Sequence, residues 1–134
     1  MKLKLGIKEL LAEAAPRIET ISVDTAVSLI GDADVQMVDI RDIRELEREG
    51  TIAGAYHAPR GMLEFWVDPE SPYYKPIFSS GKRFVLFCGS GWRSALAADV
   101  LTRMGLPRVC HMEGGFKAWK EGGNAVQPVA AKSA

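Results

Sequence analysis

The sequence predicts an α/β domain, a parallel sheet with helices packed on both faces. Three observations carry this. Short apolar runs alternate along the chain with segments of helical period. Two of those runs, Val35 to Ile40 and Phe84 to Phe87, are nearly continuous in apolar residues, as strands covered on both faces must be. The second run ends at Cys88-Gly89-Ser90-Gly91, beyond which the period turns helical. A strand, a tight loop and a helix N-terminus thus follow one another without a spacer.

In order along the chain, Leu3, Ile7, Leu10, Leu11 and Ala14 are spaced for one face of a helix that Pro16 would end. It is read as a packing element, with a dimerisation or partner helix as the alternative. Ile18 to Ile21 reads as a first strand. A helix capped by Ser22 or Asp24 then runs through Leu29 and closes at Gly31. Val35 to Ile40 is the second strand, and Asp42 to Glu49 a charged helix ended by Gly50. Ala55 to His57 reads as a third strand, Met62 to Trp66 as a short helix after Pro59-Arg60-Gly61, and Asp68 to Gly81 as a long loop. The strand starting at Arg83 leads through the cysteine loop into a helix whose Ala95, Leu96, Ala98 and Leu101 can share a face. Gly105 to Pro107 stops that helix. Arg108 to Met112 is a fifth strand, Phe116 to Glu121 a last helix, and the Ala, Lys and Ser tail is expected to fray.

A chain of 134 residues suits one domain, able to bury about two-thirds of its unfolded surface without disulfides. Lys plus Arg and Asp plus Glu both number 17, so the formal charge is zero. Nothing in that balance favours nucleic acid or an anionic membrane. Cys88 and Cys110 lack metal-ligand or redox-pair spacing, and neither a metal nor a cofactor is implied. No apolar stretch approaches the ~20 residues of a membrane span. The first nine residues interleave charge with apolar side chains, unlike a secretory signal, which fits a cytoplasmic setting where a thiol stays reduced.

The loop after Cys88 has chemical consequences. Backbone N–H groups in a glycine-rich turn converge, and a helix N-terminus adds its dipole. Both stabilise a thiolate, the nucleophilic form of cysteine. Lowering a thiol pKa from ~8.5 to ~6.5 takes ~2.7 kcal/mol, whereas the dipole supplies ~0.3–1 kcal/mol. Amide hydrogen bonds to sulfur must therefore dominate.

Cys88-Gly89-Ser90-Gly91-Trp92-Arg93-Ser94 resembles the C-x-x-G-x-R-S active-site loop of the rhodanese sulfurtransferases. Val38-Asp39-Ile40-Arg41 is similar to that family's aspartate-x-arginine at a strand end. Gly50 to His57 resembles its G-H-I-x-G-A-x-H segment, with Thr51 where histidine is usual, and Met112 to Trp119 its closing E-G-G-x-x-x-W. The resemblance runs from about Ile21 to Gly123. It implies a rhodanese-like three-layer domain with a central five-stranded, mainly parallel sheet, spanning residues 17–124 between an N-terminal helix (1–16) and a flexible tail (125–134).

Residue by residue, the resemblance implies that Cys88 accepts sulfane sulfur and cycles between thiolate and persulfide. Gly89, Ser90, Gly91 and Trp92 would supply amides and shape, with a Ser90 hydroxyl able to reach the outer sulfur. Arg93 would either hold the loop through carboxylates or meet substrate, and Ser94 would serve the helix start. Asp39 and Arg41 are read as loop anchors near the pocket, and Arg44 and Arg60 as sources of positive potential there. His57 is read as a structural histidine. Cys110 is read as buried packing, with a resolving role as the lesser alternative, and His111, Phe116 and Trp119 as core or rim.

The function implied is sulfur transfer from thiosulfate or a low-molecular-weight persulfide to a thiol or cyanide, with a protein acceptor left open. The loop interior carries no charge and Arg93 is the motif's only cation. A persulfide whose organic group rests on Trp92 should therefore load better than doubly negative thiosulfate, unless Arg44 or Arg60 reaches the pocket. A persulfide-carrying or regulatory module is the non-enzymatic alternative. Phosphatase or arsenate reductase chemistry uses a longer C-x5-R loop in relatives of this fold, whereas four residues separate Cys88 from Arg93 here.

Overall fold

The structure is a computed structural model and describes residues 1–131. Five strands form one parallel sheet: β1 (Glu19–Ile21), β2 (Val35–Asp39), β3 (Tyr56–His57), β4 (Arg83–Phe87) and β5 (Val109–Met112), in the order β1-β5-β4-β2-β3. Helices α1 (Ile7–Ala14), α2 (Val23–Leu29), α3 (Ile43–Glu49), α4 (Leu63–Val67), α5 (Trp92–Met104) and α6 (Gly115–Glu121) cover it. This is the α/β layering that the sequence predicts.

Alternation along β4 decides what lies on each face. Phe84, Leu86 and Cys88 enter the core shared with Val38, Ala97, Ala98 and Leu101, on the α5 side. Val85 and Phe87 enter the opposite core, with Met37, Cys110, Met112, Phe116 and Trp119, on the α2 and α6 side. Cys88 and Cys110 are thus on opposite faces of the sheet. A resolving partnership between them would have to cross it.

Several boundaries differ from the sequence reading. The first helix starts at Ile7 rather than near Leu3, because Leu3, Leu5, Ile7 and Leu10 stay exposed and only Ala14 is fully buried. Pro16 lies in a 3-10 turn that follows, and Arg17 there grips Asp99 of α5 through two hydrogen bonds of 2.6 and 2.8 Å. The stretch expected as one long loop contains a 3-10 turn, Pro76–Ser79, that buries Phe78. Helix α5 begins at Trp92 and buries Ser94, Ala97, Ala98 and Leu101, so Ala95 and Leu96 are displaced to its flank.

The tail is not free from residue 125 onward. Thr51 N–H donates to the Gln127 carbonyl at 2.8 Å, Gln127 N–H returns the bond at 2.7 Å, and Trp119 Nε1 donates to the Ala125 carbonyl. The compositional reading of the tail missed this because backbone pairing carries no signature in side-chain composition. Residues 132–134 of the expected tail lie outside the described residues.

Candidate active site

Cys88 follows the central strand, and its side chain is 1% exposed. Its Sγ accepts the Gly91 N–H at 3.1 Å and the Ser94 N–H at 3.4 Å. The turn that aims these amides requires φ of +109° at Gly91, which is left-handed and favours glycine. The loop's carbonyls are drawn the other way. Phe116 N–H donates to the Cys88 carbonyl at 2.7 Å, and Lys117 N–H to the Gly89 carbonyl at 3.0 Å. The first turn of α6 therefore holds the oxygens outside while the amides face sulfur.

That clasp explains the paired glycines before α6. Gly115 has φ +62°, and a Cβ there would sit 2.6 Å from the Cys88 carbonyl oxygen and 2.7 Å from the Gly89 backbone. Two backbones approach too closely for any side chain.

Ser94 is fully buried and does more than start a helix. Its Oγ lies 3.5 Å from Cys88 Sγ and 3.0 Å from His111 Nδ1. His111 Nε2 in turn lies 3.1 Å from Thr20 Oγ1. Burial lowers the His111 pKa from its ordinary value, opposed by the charge of Glu113. On the other face, burial pushes the Cys110 thiol up to about 11.

Arg93 lies over Gly89 and forks onto the Glu45 carboxylate at 3.1 and 3.3 Å, tying the loop to α3. Asp39 and Arg41 are buried beneath, at 0% and 1% exposure. Arg41 donates twice to the Asp39 carboxylate from its guanidinium and once to the Gly50 carbonyl, and Thr51 Oγ1 donates to Asp39 at 2.7 Å. Its guanidinium also stacks 4.2 Å from the centroid of Phe116. The pair thus supports α6 from below rather than facing the pocket. His57 Nε2 bonds the Arg41 carbonyl at 2.7 Å, another internal tie.

Arg44 and Arg60 do not supply the pocket with charge. Arg44 is exposed and folded back onto Asp42, the N-cap of its own helix. Arg60 is committed to Glu64 one turn on, at 2.6 Å. Besides Arg93, which acts on Cys88, the cations beside the loop include Lys117 and Lys120, which line a cleft with Gly89 and Ser90, together with Glu49 and Glu121. They were missed because a lysine-rich helix face reads as ordinary solvated surface. A second groove beside the loop is lined by Leu11, Ile18, Trp92 and Ala95, with His111 at its base and Ser90 shared with the cleft. The partly exposed Trp92 and the i, i+4 pair Leu11 and Ala15 were the signals available for it. A further cleft, around Pro69, Lys82 and Leu106, lies at the amino ends of the strands, away from Cys88.

Comparison with known proteins gives a consistent picture. The rhodanese-like domain family matches residues 22–122. Mouse thiosulfate sulfurtransferase/rhodanese-like domain-containing protein 3 is 29% identical over 97 residues, 69% of this chain and 62% of that protein. Human thiosulfate:glutathione sulfurtransferase is 27% identical over 108 residues, 76% of this chain and 93% of that one. The chain thus spans under two-thirds of the mouse relative and nearly all of the human one. A solved structure from Rhodopseudomonas palustris CGA009, of unknown function and described as a possible tyrosine phosphatase, superposes with a TM-score of 0.92. It is 50% identical, covering 95% of this chain and 98% of that one. By its matched domain, its parallel sheet and the loop that closes on Cys88, this chain belongs to the rhodanese-like sulfurtransferase family.

Proposed function

We propose that the protein moves sulfane sulfur through a persulfide on Cys88. The observation that carries this is the pair of amides on Sγ, Gly91 and Ser94, in a loop whose carbonyls are tied to α6. The Cys88 thiolate attacks the outer sulfur of a donor, the donor's S–S bond breaks, and the electron pair leaves on the departing thiolate or sulfite. A thiol or cyanide then takes the outer sulfur and returns the electron pair to Sγ. The names of the mouse and human relatives agree with a thiosulfate donor and, for the human one, with a glutathione acceptor.

Among donors, a low-molecular-weight persulfide fits this site best. Its organic group would rest in the groove of Leu11, Ile18 and Trp92. The lysines of the neighbouring cleft share it with two glutamates, which offsets the attraction of a dianion. A reducing compartment such as the cytoplasm would keep Cys88 competent.

Intact-mass analysis after exposure to each donor should show the mass of one added sulfur, removed by cyanide. With cyanide as common acceptor, kcat/KM should be higher for the persulfide. A preference for thiosulfate would show that Lys117 and Lys120 govern donor choice, and absence of any sulfur adduct would overturn the reading.

The phosphatase description of the Rhodopseudomonas structure motivates one competing test. Arg93 is shared between the Glu45 carboxylate and the Cys88 loop, and only four residues separate it from Cys88, so the loop is one residue shorter than a C-x5-R oxyanion cradle and its guanidinium is already engaged. Aryl phosphates should not turn over. Hydrolysis lost in Cys88→Ser would favour the phosphatase.

A further inference from the structure

We infer that His111 is a positioning residue that holds, through Ser94, the proton Cys88 gives up when it becomes a nucleophile. The inference rests on the sulfur-transfer reading of Cys88. It begins with a polar chain that packing alone does not require, buried from Cys88 to His111 and ending at the exposed Thr20: Cys88 Sγ, Ser94 Oγ, His111 Nδ1, His111 Nε2 and Thr20 Oγ1, with successive contacts of 3.5, 3.0 and 3.1 Å. Exposure along it is 1% at Cys88, 0% at Ser94 and 6% at His111. A histidine with both ring nitrogens engaged has its tautomer set by its partners. Ser94 Oγ lies 3.0 Å from Nδ1 and 3.3 Å from the Gly91 carbonyl, and in the proposed tautomer Nε2–H donates to Thr20 Oγ1, leaving Nδ1 to accept the Ser94 hydroxyl proton at the shorter contact.

In register, His111 stands between Thr20 on β1 and Leu86 on β4. From α5 it meets Ser94, and from the α1 side Leu11 and Ala15, which carry no charge, line the same groove. Glu113, after β5, is the charged group acting on it, and it favours the protonated ring against the cost of burial. The ring is therefore neutral at rest, with a nearby carboxylate that favours protonation.

The step balances within the chain. The Cys88 S–H proton passes to Ser94 Oγ as the Ser94 proton passes to Nδ1, leaving thiolate, hydroxyl and imidazolium. The thiolate lone pair attacks the outer sulfur of R–S–S⁻, whose S–S bond breaks with its electron pair on RS⁻. When an acceptor thiolate later removes the outer sulfur, the electron pair returns to Sγ and the proton returns from the imidazolium by the same path. Coupled groups of this kind titrate as a pair.

The test reads the Cys88 thiolate directly, as the ultraviolet absorbance difference between each protein and its Cys88→Ser counterpart across pH. In His111→Asn the rise should be displaced upward by about one pH unit, a roughly tenfold loss of thiolate below the midpoint. Ser94→Ala should behave alike, and the double variant should add little to either. A His111→Asn profile that overlays the wild type overturns the inference, whatever happens to turnover. Should His111→Asn fail to fold, the reciprocal measurement decides. The His111 imidazole, followed by NMR, should titrate at a different pH in Cys88→Ala than in the wild type, and an unchanged titration overturns it. Neither readout involves a sulfur donor, so failure here leaves the persulfide assignment standing, and a failed sulfur adduct leaves this coupling measurable.

Discussion

Cys88 and Cys110 are both free and both essentially inaccessible, one just past the end of β4 and the other within the adjacent strand β5. Burial does not distinguish them. What differs is the backbone around each sulfur. Cys110 lies inside β5, where its neighbours' amides are spent on the sheet ladder, and burial above all pushes its thiol up to about 11. Cys88 lies one residue past β4, where the ladder has ended and the amides of Gly91 and Ser94 are free to turn toward it. The position proposed to react is the one at which secondary structure stops.

The hardest test of that contrast removes each thiol in turn. Cys88→Ser should reduce sulfur loading below detection by intact mass, whereas Cys110→Ser should keep it within about twofold, since Cys110 lies in the core on the opposite face from the loop. Loading of the Cys88→Ser protein would place the persulfide on the wrong face.

A smaller effect isolates the clasp. Gly115→Ala forces a Cβ against the Cys88 and Gly89 backbones, so the loop must shift and its amides with it. Loading should slow at least about tenfold, with a stability loss on the order of 2–3 kcal/mol. Gly123 has a similar φ of +75°, but a Cβ there would meet nothing within 4 Å. Gly123→Ala should therefore cost about 1 kcal/mol and leave loading unchanged. Equal effects at the two positions would mean that φ alone matters, not the approach of α6 to the loop.

The gentlest test concerns pH. The Cys110 thiol is held protonated in the folded state, so below about pH 8.5 both states keep the proton and it adds no slope. Between there and about 11 only the unfolded state loses it, and stability falls as pH rises. Urea unfolding at pH 8 and pH 10 should show a larger fall for the wild type than for Cys110→Ala, the other alkaline groups cancelling in the difference. Equal falls would place the thiolate of Cys110 in a polar setting after all.

Much of this was legible in the chain. The period of each segment, the run into Cys88 and the glycines after it determine a strand, a turn and a helix start, because these depend on neighbours within a few residues. Cys88 itself was legible for the same reason. His111 was not, since its partners Ser94 and Thr20 are 17 and 91 residues away and only sheet register brings them together.

Two neighbouring motifs show where the division falls. Asp39-x-Arg41 and Asp42-x-Arg44 form the same local ring: the arginine N–H and Nε both reach Oδ1 of the aspartate two residues back, at 3.1 and 3.0 Å in the first and 2.9 and 3.0 Å in the second. That geometry belongs to the sequence, because two residues of backbone suffice to build it. Their fates belong to the tertiary structure. The first pair is roofed by Phe116, Gly50 and Thr51, where desolvated charges must be matched by further hydrogen bonds to be tolerated. The second is a helix cap in water, with side chains 49% and 80% exposed, where such a pair contributes little. Spacing determined that each arginine would find its aspartate, and only the packing of α6 over the sheet decided which of the two would hold the site together.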